Sequence, residues 1–396
     1  MINVAIFGFG VVGSGTAEVL CQNAKLISER VGDDINIKYI LDLRDFPDSP
    51  FADKIVHDIN IILTDPEGKI CAELMGGSHP AFEFSSAAMK AGKSVVTSNK
   101  EVVANFGPEL LAIAAENGVR YLFEASVGGG IPVIHPIGNC LTANDITEVN
   151  GILNGTTNYI LTQMINEKKD FATALAEAQE KGYAERDPSA DVDGIDTCRK
   201  ISILSAIAFG KLVPPEKVQT AGIRNVTLRD VANAAKFGAA IKLIGKAVRV
   251  GDQVCASVSP TLVRYSNPLA NISDVYNGIL VNGNAIGDVM FYGRGAGKLP
   301  TASAVVSDII EIAAYLDHPN TVNVWERLTD EEILPADKLK SRWYLRFDKK
   351  PNHCLCMLEA EVLEDSDDCY AVVTGEVSLL DIGITLSEPF VAMRVL

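Results

Sequence analysis

A glycine loop placed directly after a short apolar segment is the feature that most constrains the fold. Residues 2–7 (INVAIF) are predicted to form a buried strand, and GFGVVG follows at once. In this context the first glycine permits a tight turn, the second lets the backbone approach a phosphate, and the third lets the next helix pack on the strand. A plain strand–helix turn is the alternative. The sequence favours a dinucleotide site, whose expected contacts are Gly8, Phe9, Gly10, Val11, Val12 and Gly13.

The first 130 residues alternate short apolar segments with longer helical patterns. The predicted strands are residues 2–7, 37–43, 55–63, 69–75, 94–97 and 119–123, and the predicted helices are residues 11–30, 81–91 and 107–117. Such alternation is typical of a parallel sheet with helical crossovers. We therefore expect an α/β protein that begins with a Rossmann-type parallel sheet domain.

The pattern changes after the glycine run at residues 128–130. A mixed α+β region is indicated by predicted strands at 145–153, 243–250, 254–258 and 279–283 and by predicted helices at 156–168, 194–209 and 300–315. Residues 341–396 alternate short apolar runs with polar turns and show no clear amphipathic helix. They predict a small C-terminal β-rich appendage.

Charge and composition narrow the range of partners to small molecules. The 396 residues carry a formal net charge of −16 without a basic stripe, so a nucleic acid would be repelled. No apolar run approaches the roughly 18 residues that span a membrane, and no signal peptide is recognised. Eight scattered cysteines predict reduced thiols and a cytoplasmic location. Cys354 and Cys356 beside His353 lack a second ligand pair at zinc spacing.

Two residues after the second predicted strand bear on the choice between NAD and NADP. Asp42 can accept hydrogen bonds from the adenosine ribose, which favours NAD, and Arg44 can pair with a 2′-phosphate, which favours NADP. Both can also be ordinary loop charges. The sequence leaves the preference open.

Two more loops are expected at the carboxyl ends of the parallel strands, where ligands bind in such folds. One contains Gly76 and Gly77, and the other is Thr97-Ser98-Asn99-Lys100. Gly77, Ser98 and Lys100 are therefore candidate cofactor contacts. Because a cation at a helix start is mildly unfavourable, Lys100 is more easily explained as a functional residue near the nicotinamide than as a surface lysine.

The segment GYAERDPSADVDGIDTCRK at residues 182–200 is the most informative part of the chain. Asp196 and Lys200 are four residues apart on a predicted helix, so they share a face that continues with Ile203 and Ile207. Lys200 is thus expected at the polar mouth of a buried face. Burial lowers the pKa of a lysine and a neighbouring carboxylate raises it, and such a balance suits a proton donor. The alternative is a surface ion pair worth under roughly 1 kcal/mol.

Carboxylates and a helix start near this lysine predict a substrate site. Glu185 and Asp191 can receive the ammonium group of an amino-acid substrate, although alone they would be solvated loop charges. Asp193 is expected to cap helix 194–209. The sequence Asn154-Gly155-Thr156-Thr157-Asn158 opens a helix whose free N–H groups can bind a carboxylate, with a simple helix cap as the alternative.

Taken in order, the motifs resemble those of the homoserine dehydrogenase family over roughly residues 1–320. They are GFGVVG at 8–13, TSNK at 97–100, EASVGGGIP at 124–132, NGTTNYIL at 154–161, the run at 182–200, and GRGAGKLPTASAVVSD at 293–308. The run at 182–200 is long and highly specific.

The resemblance implies a role for each matching position. Lys100 and Lys200 would be catalytic, Lys200 as proton donor to the aldehyde oxygen, with Asp196 orienting it. The loop around Gly295 would close over the cofactor. The implied substrate-binding residues are Gly155, Thr156, Tyr183, Glu185, Asp191, Asp196 and Lys200. An implied site for a monovalent cation, Na⁺ or K⁺, consists of Glu124 with the main chain at Val127, Gly129 and Ile131.

The resemblance also implies the reaction, which is NAD- or NADP-dependent interconversion of L-homoserine and L-aspartate 4-semialdehyde. That reaction lies on the route to threonine, methionine and isoleucine. The implied assembly is a homodimer or homotetramer. The implied domains are a dinucleotide-binding domain (1–130 with 295–320), a substrate-binding and dimerisation domain (131–294) and the appendage (341–396).

Many members of the family end in an ACT regulatory domain of βαββαβ pattern. The tail of this chain is short for that module, so we expect a reduced ACT-like appendage, and threonine feedback through it is not expected. Two alternatives to the main assignment are another two-domain NAD(P)-dependent amino-acid dehydrogenase and a non-catalytic dinucleotide sensor. The sensor would need the glycine loop but not Lys200.

Overall fold

Contacts divide the chain into two units. The computed structural model describes residues 1–316, 318, 324–351, 355–386 and 388–396, without the side chains of Cys356 and Met357. The first unit comprises Met1–Thr142, Gly210–Leu212 and Gly293–Arg327, and the second comprises Ala143–Phe209, Val213–Tyr292 and Leu328–Leu396. His353, Cys354 and the side chain of Cys356, weighed above as metal ligands, lie outside the described part.

A parallel sheet forms the centre of the first unit. Its six strands, numbered along the chain, are β1 (Ile2–Phe7), β2 (Ile35–Leu41), β3 (Ile55–Val56), β4 (Gly68–Glu73), β5 (Ser94–Thr97) and β6 (Tyr121–Leu122). They lie in the order β3-β2-β1-β4-β5-β6, and all their ladders are parallel. The order reverses between β1 and β4, which is where ligands bind in such sheets. The expected Rossmann-type domain is confirmed.

Helices cover this sheet and share its apolar core. They are α1 (Val11–Gln22), α2 (Ala24–Val31), α3 (Ile59–Leu63), α4 (Ala81–Lys90), α5 (Lys100–Glu116) and, much later in the chain, α11 (Lys298–Ala314). Strand residues such as Ile6 and Ile70 and helix residues such as Val305 and Ile309 are fully buried in one cluster. Helix α11 lies so close to α1 that a Cβ on Gly15 would be 2.9 Å from the Lys298 side chain. Two short strands, β8 (Lys211–Leu212) and β14 (Glu326–Arg327), pair in parallel.

The second unit is built around a mixed sheet. In the described residues this sheet has ten strands in the path β13-β12-β7-β10-β11-β18-β15-β17-β16, with β9 also paired to β11. Those that precede the tail are β7 (Ile146–Ile152), β9 (Gln219–Thr220), β10 (Ala239–Val250), β11 (Gln253–Arg264), β12 (Tyr276–Gly283) and β13 (Gly287–Arg294). The helices before the tail are α6 (Gly155–Asn166), α7 (Phe171–Glu180), α8 (Ser189–Val192), α9 (Ile195–Phe209) and α10 (Leu228–Lys236). None of the helices described in either unit is long and apolar enough to cross a membrane.

The C-terminal tail contains a helix that the sequence did not predict. Its strands are β15 (Arg342–Phe347), β16 (Glu361–Ser366), β17 (Cys369–Val373) and β18 (Val391–Val395), in the antiparallel order β18-β15-β17-β16. Helix α12 (Leu379–Thr385) lies between β17 and β18, and the Ser378 hydroxyl caps it by accepting from the Asp381 amide at 3.1 Å. The four strands agree with the predicted β-rich appendage, and α12 was not recognised because seven residues are too few to show a clear helical period.

Three predicted elements of the first unit also differ from the structure. The helix predicted at 107–117 begins earlier, at Lys100, and contains Pro108 in its interior. The predicted strand at 55–63 ends at Val56, because the Asp58 carboxylate accepts from the Asn60 amide at 2.9 Å and starts α3. The predicted helix at 11–30 is two helices that are interrupted at Asn23.

A buried ion pair connects the tail to α10. The carboxylate of Asp230, which is fully buried, accepts from the Arg346 guanidinium at 2.7 Å and from the Tyr344 hydroxyl at 2.9 Å. Removal of one partner of a buried pair leaves the other charge uncompensated.

Asp230→Asn should therefore lower the free energy of unfolding by about 3 kcal/mol in urea denaturation. Asp365→Asn is the matched control, because Asp365 pairs with Lys350 at 2.6 Å on the exposed surface and should leave the urea midpoint unchanged. Equal midpoints for the two variants would contradict a stabilising role of the buried pair.

Candidate functional site

The glycine loop after β1 has the geometry that an anion-binding turn requires. Gly8 has φ +90°, and a Cβ on Gly13 would lie 2.0 Å from the Gly8 oxygen, so both positions require glycine. A Cβ on Gly10 would meet no described atom within 4 Å, and Val11 is exposed. The loop therefore presents the first turn of α1, with its N–H groups, to a ligand.

A cleft of about 510 Å³ opens beside this loop, within the size range of ligand pockets. Gly8, Asp42, Arg44, His57 and Met75 are among its lining residues. The cleft thus brings together residues at the carboxyl ends of β1, β2 and β4.

Asp42 and Arg44 are bonded to one another in this cleft. Asp42 accepts from the Phe9 amide at 2.8 Å, and the Nε and Nη2 atoms of Arg44 each donate to its carboxylate at 3.0 Å. The bonds from Arg44 lower the pKa of Asp42 to about 2. The Arg44 guanidinium is therefore paired with the Asp42 carboxylate.

The loops after β4 and β5 are joined by Asn99. Its side chain donates to the Gly77 oxygen at 2.7 Å and accepts from the Glu101 and Val102 amides at 3.2 Å each. It thereby caps α5, whose first residue is Lys100. The structure thus holds Gly77, Ser98 and Lys100 in connected turns.

The carboxylate of Glu124 accepts hydrogen bonds from main-chain amides. It accepts from the amides of Val133 at 2.6 Å, Ile134 at 2.9 Å and His135 at 2.6 Å. The amide of Glu124 donates to Asp308 at 2.9 Å, and burial together with the nearby Glu124 raises the pKa of Asp308. Among the described residues, no group of three His, Cys, Asp or Glu side chains is placed to hold a metal. The Glu124 carboxylate, through its three amide bonds, fixes the main chain at residues 133–135.

The loop around Gly295 packs against the loop that contains Gly129 and Gly130. A Cβ on Gly129 would lie 2.4 Å from the Gly295 oxygen, and the Gly130 amide donates to the Arg294 oxygen at 3.3 Å. Val127 and Ile131 are buried beside them. Both loops belong to the first unit.

In the second unit, Lys200 and Asp196 form a buried pair at the start of α9. Lys200 is only 8% exposed and Asp196 only 4%, and the two are joined by a 2.8 Å bond. The Lys200 ammonium also donates to the Leu153 oxygen at 2.7 Å, immediately after β7. The sequence prediction of a lysine on a largely buried helix face agrees with this position.

Asn154 bridges this pair to a second carboxylate. Its side-chain nitrogen donates to Asp191 at 2.7 Å and to Asp196 at 2.9 Å, while its side-chain oxygen accepts from the Thr157 amide at 2.9 Å. Sequence reasoning treated Asn154 as a helix cap, which it is, but missed the bridge. The signal in the sequence that could have indicated a role in the site was the position of Asn154 as the first residue of NGTTNYIL, one of the motifs that resemble the family.

The other predicted substrate residues lie on nearby segments of the same unit. The Thr156 hydroxyl donates to the Tyr183 oxygen at 2.7 Å, which ties α6 to the segment after α7. A Cβ on Gly155 would lie 2.7 Å from the Val275 oxygen. Glu185 is exposed, and its main-chain oxygen accepts from Gln179.

The prediction that Asp193 caps the helix was wrong. Its carboxylate pairs with Arg224 at 2.5 Å, and α9 begins after Gly194. The arginine lies 31 residues away along the chain, so the local sequence around Asp193 does not indicate this partner.

The first unit has the strand order, glycine loop and cleft of a dinucleotide-binding domain, and the second holds a buried lysine among carboxylates. These features define an NAD(P)-dependent oxidoreductase. Residues 8–124 match the NAD-binding domain of homoserine dehydrogenase, and residues 132–310 match the homoserine dehydrogenase domain itself. The chain belongs to the homoserine dehydrogenase family.

Full-length relatives and solved structures agree with this assignment. A homoserine dehydrogenase from Synechocystis is 42% identical over 359 residues, covering 87% of this chain and 82% of the relative. One from Pseudomonas aeruginosa is 40% identical over 371 residues, covering 92% and 86%. The crystal structure of a homoserine dehydrogenase from Thiobacillus denitrificans has a TM-score of 0.91 at 34% identity, covering 100% of this chain and 98% of that one.

Two glycine variants should separate two roles of the loop after β1, which are packing within the turn and binding of the cofactor. In Gly13→Ala the new methyl group collides with the Gly8 oxygen, so we expect a lower melting temperature and a dissociation constant for reduced cofactor raised by about tenfold or more. In Gly10→Ala the methyl group meets open space, so the melting temperature should stay unchanged while binding weakens. Both can be measured by thermal denaturation and cofactor fluorescence. Normal binding by Gly13→Ala would disprove the packing argument.

Proposed function

We propose that this protein interconverts L-homoserine and L-aspartate 4-semialdehyde, with NAD or NADP as the redox partner. The observation that carries the proposal is the buried Lys200–Asp196 pair at the start of α9, bridged by Asn154 to Asp191. A proton donor beside carboxylates suits a substrate that has both a reacting oxygen and an ammonium group.

Lys200 is the proposed proton donor. NADH or NADPH, when bound, would supply the hydride that the carbonyl carbon of the semialdehyde accepts. As negative charge develops on the carbonyl oxygen, the Lys200 ammonium stabilises it and transfers a proton to it. Asp196, 2.8 Å from the lysine nitrogen, keeps the lysine charged and oriented. In the oxidising direction the same lysine accepts the hydroxyl proton.

Other residues of the second unit are proposed to position the substrate. Asp191 and Glu185 would bind its ammonium group. Its carboxylate would bind at the start of α6, at Gly155 and Thr156, where helix N–H groups favour an anion. Tyr183, bonded through its main-chain oxygen to Thr156, would border this site.

Residues of the first unit are proposed to bind the cofactor. The loop from Gly8 to Gly13 would hold the pyrophosphate, and Arg44 would lie beside the adenosine ribose. Lys100, which the Asn99 cap places at the start of α5, would lie near the nicotinamide. Gly77, Ser98 and the loop around Gly295 would complete the contacts. One solved homoserine dehydrogenase, a hyperthermophilic archaeal mutant 31% identical over 81% of this chain with a TM-score of 0.68, is described in complex with NADPH.

We also propose a site for a monovalent cation, Na⁺ or K⁺, at the loop from Glu124 to Ile131. Because the Glu124 carboxylate already accepts three amides, the proposed ligands are main-chain oxygens at Glu124, Val127, Gly129 and Ile131. Hard oxygen ligands of this kind suit such cations. The cation would stabilise the loop beside Gly295.

The wider setting follows from the proposed reaction. We propose a cytoplasmic enzyme of threonine, methionine and isoleucine biosynthesis that works as a homodimer or homotetramer. Residues 1–130 with 295–320 would bind the dinucleotide, 131–294 the substrate and a second subunit, and 341–396 would form a reduced ACT-like module. In the described residues between β15 and β16, the helix is limited to one 3₁₀ turn at Leu355–Leu358.

Lys200→Ala should lower turnover by about 100-fold or more while leaving cofactor binding intact, because only the proton donor is lost. Turnover is measured as homoserine-dependent reduction of NAD or NADP, and binding by fluorescence of the reduced cofactor. The matched control is Lys242→Met, since Lys242 is also buried in the same unit but donates to the Ile272 oxygen. It should keep near-normal turnover. Unchanged turnover in Lys200→Ala would mean that another residue is the proton donor. No homoserine-dependent reduction of either cofactor by the wild-type protein would refute the reaction and favour a non-catalytic sensor.

The Asp42–Arg44 pair supports a preference for NAD. Asp42 neutralises the guanidinium that would otherwise bind a 2′-phosphate, and its own charge repels that phosphate. Asp42→Asn keeps an oxygen for the Phe9 amide but releases Arg44. The ratio of kcat/KM for NADP over NAD should rise by about tenfold. Adding Arg44→Ala should cancel the gain, and an unchanged ratio in the single variant would exclude this role for Asp42.

A further inference from the structure

A buried carboxylate outside the predicted site connects the two cofactor loops of the first unit. Glu73 is the last residue of β4 and is fully buried. One of its oxygens accepts from the Met75 amide at 2.8 Å, in the loop after β4. The other accepts from the Thr97 hydroxyl at 2.6 Å, at the end of β5. A single side chain thus binds the main chain of one loop and the start of the other.

The hydrogen-bonded chain continues to the residue that caps α5. The Thr97 oxygen accepts from the Asn99 amide at 2.9 Å, and the Asn99 side chain returns to the first loop by donating to the Gly77 oxygen at 2.7 Å. The circuit Glu73–Thr97–Asn99–Gly77 therefore runs from the end of β4 to the loop after β5 and back to the loop after β4. It fixes both turns, and with them the start of α5 at Lys100.

We propose that Glu73 is a positioning residue that holds these two loops in the arrangement that binds the nicotinamide half of the dinucleotide. The proposal rests on the proposed function for the assignment of the loops. It does not require Glu73 to touch the cofactor.

The cost of burying this acid argues against a role in stability alone. Burial raises the pKa of Glu73 to about 7, even though bonds from Thr97, Met75 and Asn99 oppose the rise. The residues facing it are Phe7 and Thr97 on the neighbouring strands, with Phe84 of α4 packed on Phe7. Among described groups, the titratable side chain coupled to Glu73 is Tyr121 on β6, whose pKa is also raised. No cation is among these neighbours, so an amide would be tolerated at lower cost.

The ionised form of Glu73 is the one that fits the observed circuit. As a carboxylate it accepts from the Thr97 hydroxyl and leaves the Thr97 oxygen to accept from the Asn99 amide. A protonated Glu73 would donate to Thr97, whose own proton would then need another acceptor in a fully buried position. Protonation should therefore loosen the loop that carries Asn99 and Lys100.

Glu73→Gln tests this proposal, because its amide mimics the protonated acid. The dissociation constant of reduced cofactor is measured by fluorescence at about pH 6 and about pH 8, on either side of the pKa. The wild-type protein should bind about fivefold more weakly at the lower pH, and Glu73→Gln should bind weakly at both. Thr97→Val should behave like Glu73→Gln, whereas Thr97→Ser, which keeps the hydroxyl, should behave like the wild type.

Thermal denaturation separates positioning from simple stabilisation. The pKa of Glu73 rises from 4.5 to about 7 on folding, so wild-type stability should fall relative to Glu73→Gln as the pH rises through that range. If Glu73 has a purely structural role, this change in stability should occur while cofactor binding has the same pH dependence in the wild type and in Glu73→Gln. That result would overturn the proposal. Binding is measured without homoserine, so a failure of the proposed reaction would be seen separately, in the turnover assay.

Discussion

The arrangement of the second unit depends on one buried ion pair, between Lys200 and Asp196. Removing two charges from water is expensive, and their attraction offsets the cost only when further hydrogen bonds satisfy them. Here the Leu153 oxygen and the Asn154 amide supply such bonds. The pair thus fixes three elements at one point, because these partners lie at the end of β7, the start of α6 and the start of α9. The chemistry proposed for Lys200 therefore uses a group that the fold holds where three elements meet.

The first unit uses carboxylates differently, as acceptors for main-chain amides. Glu124 binds three consecutive amides, Glu73 binds that of Met75, and Asp42 binds that of Phe9. Each of these acids fixes the main chain of a loop by accepting from its amides. This explains how a chain with a net charge of −16 can present anion-binding turns. The donors are oriented backbone dipoles, so no local excess of lysine or arginine is needed.

The sequence predicted the parts of the structure that are encoded locally. The parallel sheet follows from alternating apolar segments, and Gly8 and Gly13 stand where only glycine is tolerated. Lys200 could be placed because its helix continues as an apolar stripe. Asn154 and Glu73 were missed as connecting residues, since their partners are 37 and 24 residues away. At the end of an apolar strand, a lone glutamate has the same local pattern whether it is solvated or buried.

Short helices were the other source of error. Helices α7 and α10 begin at caps supplied by Asp170 and Thr227 and have only ten and nine residues, too few for a sustained helical period. The tail helix α12, with seven residues, was missed because it is shorter still. In each case the helix is stabilised by its cap and by tertiary packing, which a periodicity argument does not register.

The tail also covers part of the second edge of the long strand β11. One side of β11 pairs with β10 along its whole length, which leaves twelve residues with a second edge. An edge of that length invites pairing with other chains. Three short segments cover it in turn: Ile333 bridges Val254, β9 pairs with Ser257 and Val258, and β18 pairs with Thr261 and Leu262. The last of these is the tail's own final strand. The tail therefore has a structural reason to be retained whether or not it binds an effector, because it closes the edge of the sheet on which α9 and its lysine are packed.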